Sequence, residues 1–343
     1  MHLKPFRRSN KILLVLPLLA VVAVTLALLA KNLRPRPVSP SPSTSKIALP
    51  TIAPQKSSLT PFSLRDINVV SIQTLFGINE KFQLVKRVGE KDQIVDQDPV
   101  EIYAVSLSKI AYIKKSSPGR LFILDQPSGK SSIVAVDSYS QIISLSLSRD
   151  ENFLFFLANF NPVTRKSILF QTPLAKFSPE KVTSTTANKI ESVKNDLLLL
   201  YEFSDAPNSS QIQLLKSSSP SPLFSTTANY YFISPTGENL LIQRPNSATL
   251  YALSDLSSQT LIVNPTDKIG FLSDKYIAVF QNTYPDIRYT TIDTSTRFAS
   301  PPIILPGVKN TSIKRILKII DALAFVEDTD GNLWKIQLSV PAP

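Results

Sequence analysis

Residues 240–253 read LLIQRPNSATLYAL. Two apolar runs of strand length flank a turn built from Arg244, Pro245, Asn246 and Ser247. Proline presets φ and asparagine tolerates the left-handed region, so the segment predicts a β-hairpin.

The same grammar recurs outward from this hairpin. On the N-terminal side lie LLLLYEFSDAPNSSQIQLL from Leu197, FLFFLANFNPVTRKSILFQ from Phe153 and IAYIKKSSPGRLFIL from Ile110. On the C-terminal side lie YIAVFQNTYPDIRYTTI from Tyr276 and LAFVEDTDGNLWKIQL from Leu323. Successive hairpins begin 43, 44, 43, 36 and 47 residues apart. Another short strand precedes most of them (QIISLSLS at Gln141, YYFISP at Tyr230, KIGFLS at Lys268), and a fourth follows most (SSIVAV at Ser131, TLIVN at Thr260, PIILP at Pro302). Four short antiparallel strands repeated at this spacing predict the blades of a β-propeller. A β-sandwich also uses many short strands but carries no such period.

Six hairpins are clear, and a seventh set of strands is expected from INVVSI at Ile67, FQLVKRV at Phe82 and QIVDQ at Gln93. Seven blades is therefore the favoured count and six the alternative. The last repeat ends at LSVPAP without a fourth strand. An open ring would leave two unpaired edges, so an N-terminal strand is expected to complete the C-terminal blade.

Several blade junctions look alike. SRDENFLFF at Ser148 and SPTGENLLI at Ser234 both place Ser, a turn, Asn and an apolar strand, and LSDKYIAVF at Leu272 is a shorter version. This resembles the WD40-like and TolB-type propellers of bacterial envelopes, over about residues 100–340. The resemblance implies the fold alone. The chain departs from eukaryotic WD repeats in having no Gly-His or Trp-Asp dipeptide, a single Trp (Trp334) and only eight Gly.

The net charge of +11 would suggest a nucleic-acid partner, but its location argues otherwise. Residues 1–60 hold nine of the 37 Lys and Arg and no Asp or Glu, leaving 28 basic against 26 acidic residues in the remainder. Phosphate binding needs cations clustered on a folded face, so nucleic acid is not an expected partner. The basic residues flank ILLVLPLLAVVAVTLALLA, residues 12–30, nineteen residues without a charge. As a helix this run spans about 28 Å, close to bilayer thickness. A cleaved signal peptide would have a shorter apolar region, and Leu28-Leu29-Ala30-Lys31 is a poor cleavage context. Lys4, Arg7, Arg8 and Lys11 precede the span, so the N-terminus is expected in the cytoplasm. With no Cys in the chain, a lipid anchor on cysteine is excluded.

The expected organisation is a cytoplasmic basic tail (1–11), a transmembrane helix contacting the lipid bilayer (12–30), a disordered Pro/Ser-rich linker (31–60) and an all-β propeller ectodomain (61–343). Pro35, Pro37, Pro40, Pro42, Pro50 and Pro54 make the linker an extended spacer, reaching up to about 70 Å.

The sole histidine is His2, so Ser-His-Asp and Cys-His catalysis are excluded from the ectodomain, and no Gly-rich phosphate loop occurs. Catalytic, cofactor and metal residues are accordingly expected to be none. Glu327-Asp328-Thr329-Asp330-Gly331-Asn332 has the look of a calcium loop but runs straight into Leu333-Trp334-Lys335, which favours a hairpin turn. Asp92, Asp96 and Asp98, near Glu90, are expected in a solvated loop. Asn208-Ser209-Ser210 and Asn310-Thr311-Ser312 match the glycosylation pattern, and Tyr230, Tyr231, Phe232 and Tyr251 are a candidate aromatic surface. The function expected is a non-catalytic binding or scaffold module with a protein or envelope partner at the propeller loops. The alternative is a glycan hydrolase or lyase using carboxylates in the central funnel.

Overall fold

A computed structural model of the chain describes residues 57–58, 64–204, 210–283, 286–309 and 312–339. The expected tail, membrane span and most of the linker lie outside these residues, as does most of each glycosylation pattern. The described residues are all β, in antiparallel sheets.

Among the described residues, the strands fall into seven four-stranded units, called blades 1–7 from the N-terminal end. Blade 3 shows the plan: Ser144–Leu147 is innermost, then Phe153–Asn161, Lys166–Pro173 and Glu180–Thr185 outward. Blade 4 repeats it from Lys189–Ser192 to Pro222–Thr227, blade 5 from Tyr230–Ile233 to Ser258–Ile262, and blade 6 from Lys268–Phe271 to Ile303–Lys309.

Blades 1 and 2 share one 15-residue strand, Lys91–Val105. Its first part pairs with Gln83–Val88 as the outer strand of blade 1, and its second part pairs with Lys109–Lys114 as the inner strand of blade 2. Pro99 sits between the two parts, near register shifts on both sides. Proline cannot donate to a ladder, so the pairing changes partner where the donor is missing. The Asp92–Asp98 acidic group therefore lies on this strand and not in a solvated loop. Arg87 ion-pairs with Asp92, and the Lys114 ammonium lies 2.9 Å from Asp96 and 3.0 Å from Asp98. Burial works to raise the Asp96 carboxyl, but Lys114, the Asp98 N–H and the Tyr112 hydroxyl outweigh it and hold it below its usual range.

Blade 7 comprises Ile313–Ile320, Leu323–Asp328 and Leu333–Gln337, with Ser57–Ser58 as its outer strand. Ser57 pairs with Lys335 and Ser58 with Trp334. The N-terminal strand expected to complete the C-terminal blade is thus present, within the stretch read as linker. The innermost strands of blades 7 and 1 pack side by side, so the set of blades closes on itself. This is the arrangement of a β-propeller.

The second strand of each blade carries buried side chains at successive positions. In blade 3, Leu154, Phe156 and Ala158 pack towards blade 2, while Phe155 and Leu157 pack towards blade 4. All five are buried. The described residues hold seven such apolar clusters, one in each seam between neighbouring blades. Each buried Leu or Phe stabilises the fold by roughly 1.5–3 kcal/mol relative to exposure.

Candidate functional site: the loop rim and the centre of the ring

The junctions that look alike in sequence are turn clamps. The N–H groups of Asn152 and Phe153 donate to the Ser148 hydroxyl oxygen at 3.1 and 2.9 Å, and the Asn239 N–H donates to the Ser234 hydroxyl at 3.0 Å. Both serines are fully buried. A short hydroxyl side chain can satisfy backbone donors where the ladder turns, which is why serine recurs there. Gly237 holds the tightest point of its turn at φ 76°, and a Cβ there would sit 2.4 Å from the Val193 carbonyl oxygen. Blade 3 has Glu151 at the matching position, also at positive φ. Its carboxylate accepts the N–H of Ser108 at 2.7 Å and the hydroxyl of the same residue. Those bonds offset a local strain of order 1–3 kcal/mol.

These loops all connect an inner strand to a second strand, and they bond to one another from blade to blade. Ser108 of blade 2 is tied to Glu151 of blade 3. Lys194 of blade 4 ion-pairs with Glu238 of blade 5. Thr236 of blade 5 donates its hydroxyl to Asp274 of blade 6 at 2.7 Å. Arg149 of blade 3 skips a blade: its guanidinium donates to the carbonyl oxygens of Pro235 at 2.7 Å and Ser234 at 3.3 Å, both in blade 5. The loop rim at this end of the ring is therefore laced over five consecutive blades.

Lys318 lies within electrostatic reach of Glu191 and Arg149, and Arg149 within reach of Glu191 and Asp274. Lys318 comes from the inner strand of blade 7, Glu191 from that of blade 4, and Arg149 from the blade 3 loop. Lys318 is solvent-exposed as a residue, while its ammonium makes a part-buried bond. Its ammonium donates to the Val69 carbonyl oxygen of blade 1 at 2.9 Å. Burial pushes the Lys318 ammonium down, with Glu191 opposing and Arg149 adding to the effect. Burial likewise pushes Arg149 down, against the charges of Glu191 and Asp274. Glu191 accepts the Tyr231 hydroxyl at 2.7 Å. Burial first, and then the Glu191 charge, drive the Tyr231 phenol well above its ordinary value, so it stays a donor.

Sequence reasoning singled out Tyr231 but missed Arg149, Glu191 and Lys318. Glu191 and Lys318 lie on inner strands and Arg149 on a loop, far apart in sequence, so no local pattern links them. The four aromatic candidates separate: Tyr230 is 47% exposed, Tyr231 turns to Glu191, Tyr251 stacks on Phe224, and Phe232 packs between blades. Two cations dress the exposed end of this group, Lys268 at 5.9 Å from the Tyr230 ring and Lys189 at 5.6 Å from that of Tyr231.

The blade 7 segment with the look of a calcium loop is a hairpin turn. The Asp328 carboxylate accepts the N–H groups of Asp330 and Asn332, the Asn332 amide and the Trp334 indole, all within 3.0 Å. Burial works to raise this carboxyl, and these donors hold it below its usual range. Four donors already occupy the oxygens a cation would need. Glu327 next to it is bound by Lys314 and Arg315 at 2.7 and 2.6 Å. A cleft of about 290 Å³ lies beside this pair, lined by Arg65, Asp66, Arg315 and Glu327 among others.

No protein-family model matches the chain, and no curated protein sequence does. Among solved structures, it is similar to a chain of the mitotic checkpoint complex with a TM-score of 0.55 and 10% identity, over 84% of this chain and 96% of that one. It is similar to one of two prolyl endopeptidases, studied for inter-domain dynamics in catalysis and specificity, with a TM-score of 0.55 and 12% identity. That match covers 76% of this chain and 44% of the endopeptidase, so this chain spans less than half its length. At these identities the likeness is one of fold, the β-propeller.

Proposed function

We propose that the chain is a membrane-tethered, extracytoplasmic propeller of seven blades, of the bacterial-envelope type, acting as a non-catalytic binding or scaffold module for a protein or envelope partner. The observation that carries this reading is the laced loop rim around a mixed-charge centre. Loops that bond from blade to blade form a pre-organised surface, which lowers the ordering cost of binding. The partner in the mitotic checkpoint complex belongs to that neighbour, but its chain supports the general use of such a fold for holding proteins. The tether rests on the uncharged run at residues 12–30 and the basic residues before it.

A glycan hydrolase would need two carboxylates set to face a substrate. Glu191 and Asp274 instead both lie within electrostatic reach of Arg149, and each is held by a protein hydroxyl. That arrangement favours binding over acid–base chemistry. Crosslinking in intact cells followed by pull-down tests the proposal: a reproducible partner is expected, and its absence would overturn the scaffold reading. Protease shaving of sealed cells tests the orientation, since an undigested domain would contradict an outward-facing ectodomain.

A further inference from the structure

The cleft of about 290 Å³ brings side chains of blades 1 and 7 around one shared space. Its wall includes Gly331, in the loop between the second and third strands of blade 7, so it opens at the end of the ring opposite the laced loops. The charged lining is Arg65 and Asp66 from blade 1 and Arg315 and Glu327 from blade 7. Two cations therefore face two carboxylates. The nearest neighbours keep that balance. Lys314 shares Glu327, Lys115 shares the Phe82 ring with Arg65, and Asp328 and Asp330 belong to the Gly331 turn.

Much of this polar lining is unused by the protein. The Arg65 guanidinium lies 4.7 Å from the Phe82 ring centre and makes no hydrogen bond or ion pair among the described residues. The Asp66 carboxylate makes none either. Arg315 gives its Nε to Glu327 and keeps its two terminal nitrogens. Five donors on a guanidinium and two acceptor oxygens on a carboxylate leave the cleft able to bond in both senses. Its walls are also fixed. The Asp66 carbonyl oxygen accepts the Tyr103 hydroxyl and, at 3.3 Å, the Asn68 amide. Opposite, the Gly331 N–H donates to the Asp328 carbonyl oxygen at 3.1 Å. Gly331 sits at φ 84°, and no atom lies within 4 Å of where a Cβ would stand.

A balanced lining disfavours a phosphate or a polyanion, which would meet Asp66. A peptide backbone is neutral and offers carbonyl oxygens to guanidinium groups and N–H groups to a carboxylate. Leu64, Ile67 and Leu333 supply an apolar surface between these polar groups. The volume is near the lower end of small-ligand sites, about 300 Å³, which suits one side chain and its flanking peptide groups. Fixed walls lower the ordering cost of docking. We infer that the cleft between blades 7 and 1 docks an extended peptide segment of a partner protein. An apolar side chain of that segment packs on Leu64, Ile67 and Leu333, its carbonyls meet Arg65 and Arg315, and an N–H meets Asp66. This deepens the binding-module reading and rests on it, at a surface separate from the loop rim.

The probe is a peptide selected from a random heptapeptide library panned on the full-length protein in nanodiscs, then labelled and titrated by fluorescence anisotropy. Selection of a peptide that binds saturably is expected. Gly331→Asn puts a side chain into the cleft at a positive φ that asparagine tolerates, and should weaken binding about tenfold. Arg65→Gln should weaken it about fivefold. Leu107→Ser, at the opposite end of the ring and 78% exposed in the wild type, should change nothing. No selected peptide, or an affinity that neither cleft variant moves, would overturn the site. Selection by a Phe62→Ser variant but not by wild type would mean that the chain's own residues 59–63 fill the cleft, and would overturn it as well. If Gly331→Asn does not fold, Arg65→Gln carries the test, because Arg65 is exposed. A partner found by crosslinking while no peptide is selected would leave the scaffold reading standing and remove only the cleft.

Discussion

The seam between blades 3 and 4 is packed far more densely than the seam between blades 7 and 1. The first buries Phe155, Leu157, Leu169, Ala187, Ile190, Leu198, Leu200 and Leu215. It also joins the two inner strands through the Ser144 and Ser146 hydroxyls, which accept the N–H groups of Ile190 and Ser192 at 3.1 and 2.8 Å. The second buries only Val69, Leu75 and Phe325, with Leu64, Ile67, Leu317, Ile320 and Leu323 partly covered. Its polar ties are long side chains reaching backbone: Lys318 to Val69 and Lys335 to Ile72. The cleft of about 290 Å³ opens at this seam, and the outer strand closing blade 7 has two residues. Interior seams are made within a continuous chain, whereas the closing seam must join the two ends of the ring. Local opening is drawn from regions with few buried apolar contacts, so the ring is expected to open at the 7–1 seam first.

Truncation at the two seams should separate them most clearly. Phe155→Ala empties a fully buried site held on all sides and should cost about 3–5 kcal/mol. Leu75→Ala, in the thinner seam, should cost about 2 kcal/mol, the lower end for such a change, because the surroundings can collapse. Urea unfolding of both variants against wild type measures the difference. Equal losses would show that the 7–1 seam is as tightly packed as the 3–4 seam.

A smaller effect is expected from removing the closing strand. A chain lacking residues 1–58 leaves Leu333–Gln337 as an edge and should lose roughly 1–2 kcal/mol, the net worth of a few backbone hydrogen bonds. Hydrogen exchange should quicken at residues 333–337 while the blade 3 and 4 second strands keep their protection. Uniform acceleration throughout the ring would mean that closure and the interior seams open as one cooperative unit.

The two seams also differ in how far they could be read from sequence. FLFFLA and LLLLY announce strands buried on both faces, because apolar residues at successive positions must point both ways from a sheet. Ser57-Ser58 carries no such pattern: the strand is short, polar and set in a proline-rich stretch, and only the need to close the ring implied that it existed. The Thr74–Ile78 strand is the second strand of blade 1, and it is not among the segments INVVSI, FQLVKRV and QIVDQ from which a seventh blade is expected. Asp92, Asp96 and Asp98 looked solvated because their partners Arg87 and Lys114 lie on neighbouring strands, across a pairing that Pro99 redirects. The central charges were the least legible. Lys318 and Glu191 are 127 residues apart in sequence, and nothing local marks either as facing the axis.

The smallest expected effect is electrostatic and lies within blade 7, beside the closing seam. Burial works to raise the Glu327 carboxyl, but Lys314 and Arg315 outweigh it and hold it below its ordinary value of 4.5. A carboxyl depressed in the folded state stabilises the fold at pH values above its unfolded pKa, and that contribution is lost as pH falls through the folded value. Both cationic partners are about half exposed, so solvent screens the pair and its worth is about 1 kcal/mol. Glu327→Gln should therefore lower stability at pH 7 by about that amount and flatten the decline between pH 5 and about pH 3. The variant and wild type should converge at the acid end, once the wild-type carboxyl is protonated. Added salt should narrow the gap at pH 7, since screening acts on the charged form only. A gap that persists unchanged at pH 3 would mean that Gln disturbs packing beside the cleft. Blade 7 would then owe its stability at the cleft to shape more than to this ion pair.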